Sequence, residues 1–170
     1  MQVGTTPKER LLATAAQLFY VHGYQATGVD AIAAASGVGK MTLYRHFPSK
    51  DDLIVAYLRQ SDADFWAHFE ASTAGANNAR GKFLGFFTSL QAYVLSPDCY
   101  GCPFINIAGE FPEPAYPGHA EALAHKRAVR ARFLELATAT GAREPALLAN
   151  ALLLLMDSLY MAARMYGPAA

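Results

Sequence analysis

Glycine and proline cut this chain into pieces, and each piece between them carries its apolar residues at helical spacing. No stretch alternates apolar and polar residues as a half-buried strand would. In residues 8–21, Leu11, Leu12, Ala15, Ala16, Leu18 and Phe19 form one face, and Gly23 stops the run. Residues 29–36 make a short Ala-rich helix with Val29, Ile32 and Ala33 on one side. Gly37-Val38-Gly39 breaks it, and residues 40–47 read as another short helix closed by Pro48. A longer helix starts at Ser49, whose hydroxyl caps free N–H groups, while Asp51 and Asp52 sit on the positive end of the dipole. Ile54, Leu58, Ser61 and Phe65 line it, flanked by Leu53, Tyr57 and Trp66, until a turn at 72–79. Helices at 80–95, 104–111, 119–140 and about 145–166 follow, so the expected fold is all-α.

A chain of 170 residues that is 53% hydrophobic can bury a sizeable core, which excludes disorder. Only 16% of its residues are charged, so surface is expected to be hidden in a ligand cavity or a subunit interface. The balance of 14 basic and 14 acidic residues argues at first against a phosphate-rich partner. It divides unevenly, however. Up to Lys50 there are five basic residues against two acidic ones, and the remainder carries nine against twelve. A basic head thus sits on a mildly acidic body. Two cysteines make no disulfide framework, and Thr14 and Gln17 interrupt the only stretch resembling an export signal. The longest apolar run, Ala151 to Met156, is shorter than the ~20 residues of a membrane span. These features predict a cytoplasmic protein with no membrane role.

The two short helices joined by Gly37-Val38-Gly39 have the form of a helix-turn-helix, whose second helix enters the DNA major groove. Ala33, Ala34 and Gly37 are small where the helices cross. Leu43 and Phe47 face inward, and Lys40, Thr42, Tyr44, Arg45 and His46 project outward. The segment Gly23-Tyr24-Gln25-Ala26-Thr27, followed by Ile32-Ala33 and by Ser36-Gly37-Val38-Gly39-Lys40-Met41-Thr42-Leu43-Tyr44-Arg45-His46-Phe47-Pro48-Ser49-Lys50-Asp51-Asp52-Leu53, resembles the tetracycline-repressor (TetR) family of bacterial transcription regulators. The likeness is dense from about Leu11 to Leu58.

This resemblance implies a DNA-binding domain over 1–50 and a helical effector-binding and dimerisation domain over 51–170. It implies that Thr27 holds a phosphate, that Lys40, Met41 and Thr42 face base edges, and that Tyr44, His46 and Lys50 press on the phosphate backbone. Hydroxyls, ammonium groups and a helix N-terminus suit phosphate, while Lys40 suits guanine and Met41 a thymine methyl. Gly28 and Met41 depart from the family's commonest pattern, which has a hydroxyl residue at the first position and a small residue at the second. The expected partners are a palindromic double-stranded operator, a small-molecule effector and a second copy of the chain.

Farther along, Gly101-Cys102-Pro103-Phe104-Ile105-Asn106, Glu110-Phe111-Pro112 and His125-Lys126 are similar to a subgroup pattern of that family. Phe83, Phe86, Phe87, Leu90, Tyr93, Phe104, Ile107, Phe111, Leu155, Leu159 and Tyr160 exceed the aromatic and apolar surface a small bundle needs. They are expected to line a cavity, with Asn106, Glu110 and Asp157 as its polar groups; plain core packing is the alternative. Cys99 and Cys102 have C-x-x-C spacing, open to a thiol or metal switch or to simple packing. The last helix is apolar all round, which predicts burial against its own core and a partner subunit. The resemblance implies two long dimer helices per chain, and the sequence given reaches Ala170 where the second would begin; a reduced interface and a truncated sequence are both open. No cofactor is expected. No Ser/His/Asp order, catalytic carboxylate pair or phosphate loop supports an enzyme, and His22, His46, His68, His119 and His125 are scattered.

Overall fold

The computed structural model describes residues 6–167, which form eight helices and no strand. In chain order these are α1 (Pro7–His22), α2 (Val29–Ser36), α3 (Lys40–His46), α4 (Lys50–Thr73), α5 (Ala79–Val94), α6 (Pro103–Glu110), α7 (Pro117–Ala139) and α8 (Pro145–Tyr166). Local chemistry sets their starts. The Thr6 hydroxyl accepts from the Glu9 N–H and the Glu9 carboxylate accepts from the Thr6 N–H, while Pro7 fills the first turn. Ser49 and Asp52 repeat that reciprocal cap on α4. Residues 1–5 and 168–170, the latter where the second dimer helix is expected to begin, lie outside the described range.

Two apolar cores run through the molecule. The first joins Leu11, Ala15 and Phe19 of α1 to Ile32, Leu43, Phe47 and the first half of α4 (Leu53, Ile54, Tyr57, Leu58). It also takes in Cys102, Phe104 and Ile107 at α6 and Ala122 of α7, so a continuous core crosses residue 50. The Phe19, Tyr24 and Tyr57 rings pack at centroid separations of 5.4 to 6.0 Å at its centre. The second core gathers Phe69 of α4, Phe86 and Leu90 of α5, Val129 and Phe133 of α7, and Ala149 and Met156 of α8. Helix α4 reaches both, with four buried residues in the first and Phe69 in the second, and α7 links them from the other side through Ala122 and Val129.

Helix α8 shows, within one chain, only the part of the expected burial that its own core supplies. Within the single chain it fully buries Ala149, Met156 and Ala163, while Leu147, Leu154, Leu155, Met161 and Met165 are exposed. It is also the one described helix long and apolar enough, by length and composition, to cross a membrane. Its six-residue apolar run hid this, because the whole 22-residue helix carries so few charges.

Helices α4 and α5 come into close contact at Gly85, where a Cβ would lie 2.4 Å from the Ser72 carbonyl oxygen. No side chain fits there without parting the helices. Gly85→Ala is therefore expected to destabilise the fold by roughly 1–3 kcal/mol, even though alanine favours a free helix by about 1 kcal/mol. Chemical denaturation measures the difference; equal or greater stability would mean the helices are not in contact there.

Candidate functional site

The exposed surface of the head is built by α3. Gly37 takes the left-handed conformation (φ 65°) and its N–H reaches Ala33 O and Ala34 O, which ends α2 and turns the chain toward α3. Val38 then plugs into the first core. Leu43 and Phe47 are buried as the spacing predicts, and the opposite face presents Lys40, Met41, Tyr44 and Arg45, with Thr42 and His46 half-buried. Met41 is 86% exposed, unusual for an apolar side chain that packs against nothing of its own. Lys40 Nζ lies 2.7 Å from Asp30 Oδ1, both well exposed. A pair so open to water holds weakly and exchanges readily for another anion.

Thr27 differs from its expected role. It is buried, and its hydroxyl proton goes to Gly23 O at 2.7 Å, with Leu18 O at 3.2 Å. It pins the end of α1 to the start of α2 rather than presenting a donor to solvent. Gly28 caps α2 with no side-chain bond, as its departure from the family pattern suggests. Lys50 is half-buried, its Nζ 3.4 Å from Gln25 O, and burial draws its ammonium below the ordinary lysine range.

Glu110, expected in a cavity, instead joins the body to the head. Its carboxylate accepts from the Tyr24 N–H at 3.0 Å and the Gln25 N–H at 2.7 Å, while the Gln25 side chain donates back to Glu110 O. A second strap runs from Tyr116 Oη to Asp51 Oδ1 at 2.8 Å, with the Tyr116 ring stacked on Phe111. Both straps fasten the α6 end of the body to residues flanking α2 and α3.

The cavity itself, about 320 Å³, opens among α1, α4, α5, α6, α7 and α8. Of the expected lining residues it is bounded by Phe86, Leu90, Tyr93, Phe104 and Tyr160. The others lie elsewhere. Phe83 and Phe87 pack on Phe133, Ile107 is sealed in the first core, and Leu159 packs on the second. Leu155 faces outward, Asn106 ties down Tyr100 O, and Asp157 pairs with Lys126. The lining residues that the sequence did not single out for the cavity are Tyr20 of α1, Tyr57, Ser61, Asp64, Phe65 and His68 of α4, Gly101, Cys102 and Pro103 at the start of α6, His125 of α7 and Met156 of α8. Tyr57, Ser61 and Phe65 share one face of α4 at four-residue spacing, a signal read only as packing. His125 stands in the subgroup pattern, but nothing in the sequence joins it to the cavity, because its partner Asp62 lies 63 residues earlier.

Cys99 and Cys102 are both free and buried. Cys102 borders the cavity 3.6 Å from Lys126 Nζ, and burial pushes its thiol up despite that cation. Among the described residues no three His, Cys, Asp or Glu side chains gather as a metal site.

The profile described as "Bacterial regulatory proteins, tetR family" matches residues 11–57, from within α1 to the first third of α4. A TetR-family transcriptional regulator from Streptomyces coelicolor is 35% identical and superposes with a TM-score of 0.91, over 96% of this chain and 86% of that one. A putative TetR transcriptional regulator from Streptomyces avermitilis is 32% identical, with a TM-score of 0.87 over 96% and 88%. The regulator TcmR of Streptomyces glaucescens is 36% identical over 70 residues, 41% of this chain. The transcriptional activator FasR of Mycolicibacterium smegmatis is 45% identical over 51 residues, 30% of this chain. Those matches span only 31% and 23% of the two curated regulators' lengths. The solved structures extend the likeness through the body, and at that identity and coverage the chain belongs to the TetR family of transcriptional regulators.

Proposed function

We propose that the protein is a cytoplasmic, homodimeric repressor that grips a palindromic operator and lets go when a small molecule fills its cavity. The observation that carries this reading is the outer face of α3, where Lys40, Met41, Tyr44 and Arg45 stand clear of the core that Leu43 and Phe47 anchor. In this reading Lys40, Met41 and Thr42 meet base edges, and Tyr44, His46 and Lys50 meet phosphates. Thr27 contributes by holding the α1–α2 turn in place.

The exposed leucines and methionines of α8 support the dimer. A face this apolar is costly in water and is covered by a second copy around a two-fold axis. Two reading helices about one DNA turn apart then match two half-sites. An effector acts through the α4 wall of the cavity: if it favours a state in which the two heads are wrongly spaced, it moves the population off DNA.

Selection from a random DNA pool followed by gel shifts tests the reading. A palindromic site should emerge. Tyr44→Ala and Lys50→Ala should each weaken it by roughly tenfold or more without unfolding the protein, and Lys50→Ala should flatten the salt dependence by about one charge per bound subunit. Failure to enrich any site, or unchanged binding by both variants, would overturn it.

A further inference from the structure

The cavity's polar chemistry centres on His125, whose ring is 3% exposed. The ring stacks on Phe104 with centroids 3.7 Å apart and meets the edge of Phe65 at 4.8 Å. Its Nδ1 lies 2.7 Å from Asp62 Oδ1, and that same oxygen accepts the Trp66 indole N–H at 3.1 Å. An ionised carboxylate only accepts, so the imidazole proton resides on Nδ1 and Nε2 keeps a bare lone pair. Burial draws the imidazole below the ordinary histidine range, so the ring is neutral near pH 7.

Nε2 has no hydrogen-bond partner among the described residues. Yet Ser96 Oγ is the one side-chain N or O there that is both sealed from solvent and unpaired. Nε2 therefore opens on the cavity that His125 borders. The Tyr57, Ser61 and Tyr160 hydroxyls also border the space and can donate or accept, while His68 Nε2 is engaged with Ser89 Oγ at 3.0 Å. Tyr20 Oη is already engaged with Tyr93 Oη (2.7 Å), Gly101 O (2.8 Å) and the Tyr100 N–H (3.1 Å). No lysine or arginine lines the space, and the nearby Lys126 ammonium is paired with Asp157. The single carboxylate on the wall, Asp64, is solvent-exposed and bonded by Gln60.

This arrangement selects by charge and by hydrogen-bond polarity. An anion would enter an aromatic space with no cation and would face a lone pair. A cation would lose its water with no buried counter-charge to replace it. A flat, neutral ring system gains the faces of Phe86, Phe104 and Tyr160, and a hydroxyl or N–H on it gains the unused acceptor.

We propose that the cavity binds an uncharged aromatic compound bearing a hydroxyl or N–H donor, with that donor on His125 Nε2 and Asp62 fixing the tautomer. The inference names the effector class and so rests on the reading of the cavity as an effector site. Isothermal calorimetry on the full chain tests it with 2-naphthol, 2-methoxynaphthalene, 2-naphthoate and protonated 2-naphthylmethylamine as probes. The naphthol should bind about tenfold or more tightly than its methyl ether, which cannot donate, and tighter than either ion. His125→Phe should erase the preference for naphthol over the ether while leaving ether binding within about twofold, and His125→Gln, which keeps an acceptor, should restore part of it.

Equal binding of naphthol and ether by the wild-type chain, tighter binding of either ion, or a preference that survives in His125→Phe would overturn the proposal. The wild-type comparison needs no variant to fold. A gel shift on the selected operator, run beside it, separates the two failures. Operator binding without naphthol selectivity defeats this inference alone, whereas no operator binding defeats the regulatory reading.

Discussion

Helix α4 is shared by both cores, and the rest of the molecule is arranged around that constraint. Its first half is locked among α1, α2 and α3 by Leu53, Ile54, Tyr57 and Leu58, all buried, while Phe69 anchors its far end in the second core. Its 24 residues carry no glycine or proline at which the rod would kink. A rigid rod with one end in each core cannot move at one end alone. Between the cores the packing loosens into the cavity, and α4 supplies Tyr57, Ser61, Asp64 and Phe65 to its wall. A molecule occupying that space therefore pushes on the same helix that carries the head.

The straps from α6 sharpen the point. Glu110 satisfies two backbone N–H groups in the turn after α1, and Tyr116 holds Asp51 in the first turn of α4. Gly23 stands at φ 91°, and a Cβ there would meet Glu110 Oε1 at 2.9 Å, so glycine answers both the conformation and the close approach. Each strap couples an element bordering the cavity to one bordering the reading surface. The head is consequently set by the body through hydrogen bonds as well as through shared apolar surface.

The sequence made the head almost wholly legible. Gly37, Val38, Leu43 and Phe47 impose local geometry within a few residues, and Ser49 with Asp52 announces the start of α4. The body was legible as helices but not as a site. Asn106 and Glu110 sit four apart on an apolar helix and looked like cavity groups, yet both serve backbone groups outside it. Helical periodicity reports that a side chain faces inward, not whether it meets a neighbour or a void. His125 and Asp62 belong to α7 and α4, and only tertiary packing joins them. Thr27 shows a related ambiguity: a hydroxyl suits a phosphate or a carbonyl equally well, and in this structure it is bonded to the end of α1.

The central claim is that head and body fold as one cooperative unit through the first core and the Glu110 strap. Native-state hydrogen exchange followed residue by residue tests this most directly. The account predicts that the amides of Phe19 in α1, Leu43 in α3 and Phe111 at the end of α6 exchange through a common opening, with free energies within about 1 kcal/mol of one another. A head whose α1 and α3 amides open together at markedly lower free energy, while α6 and α7 stay protected, would contradict it.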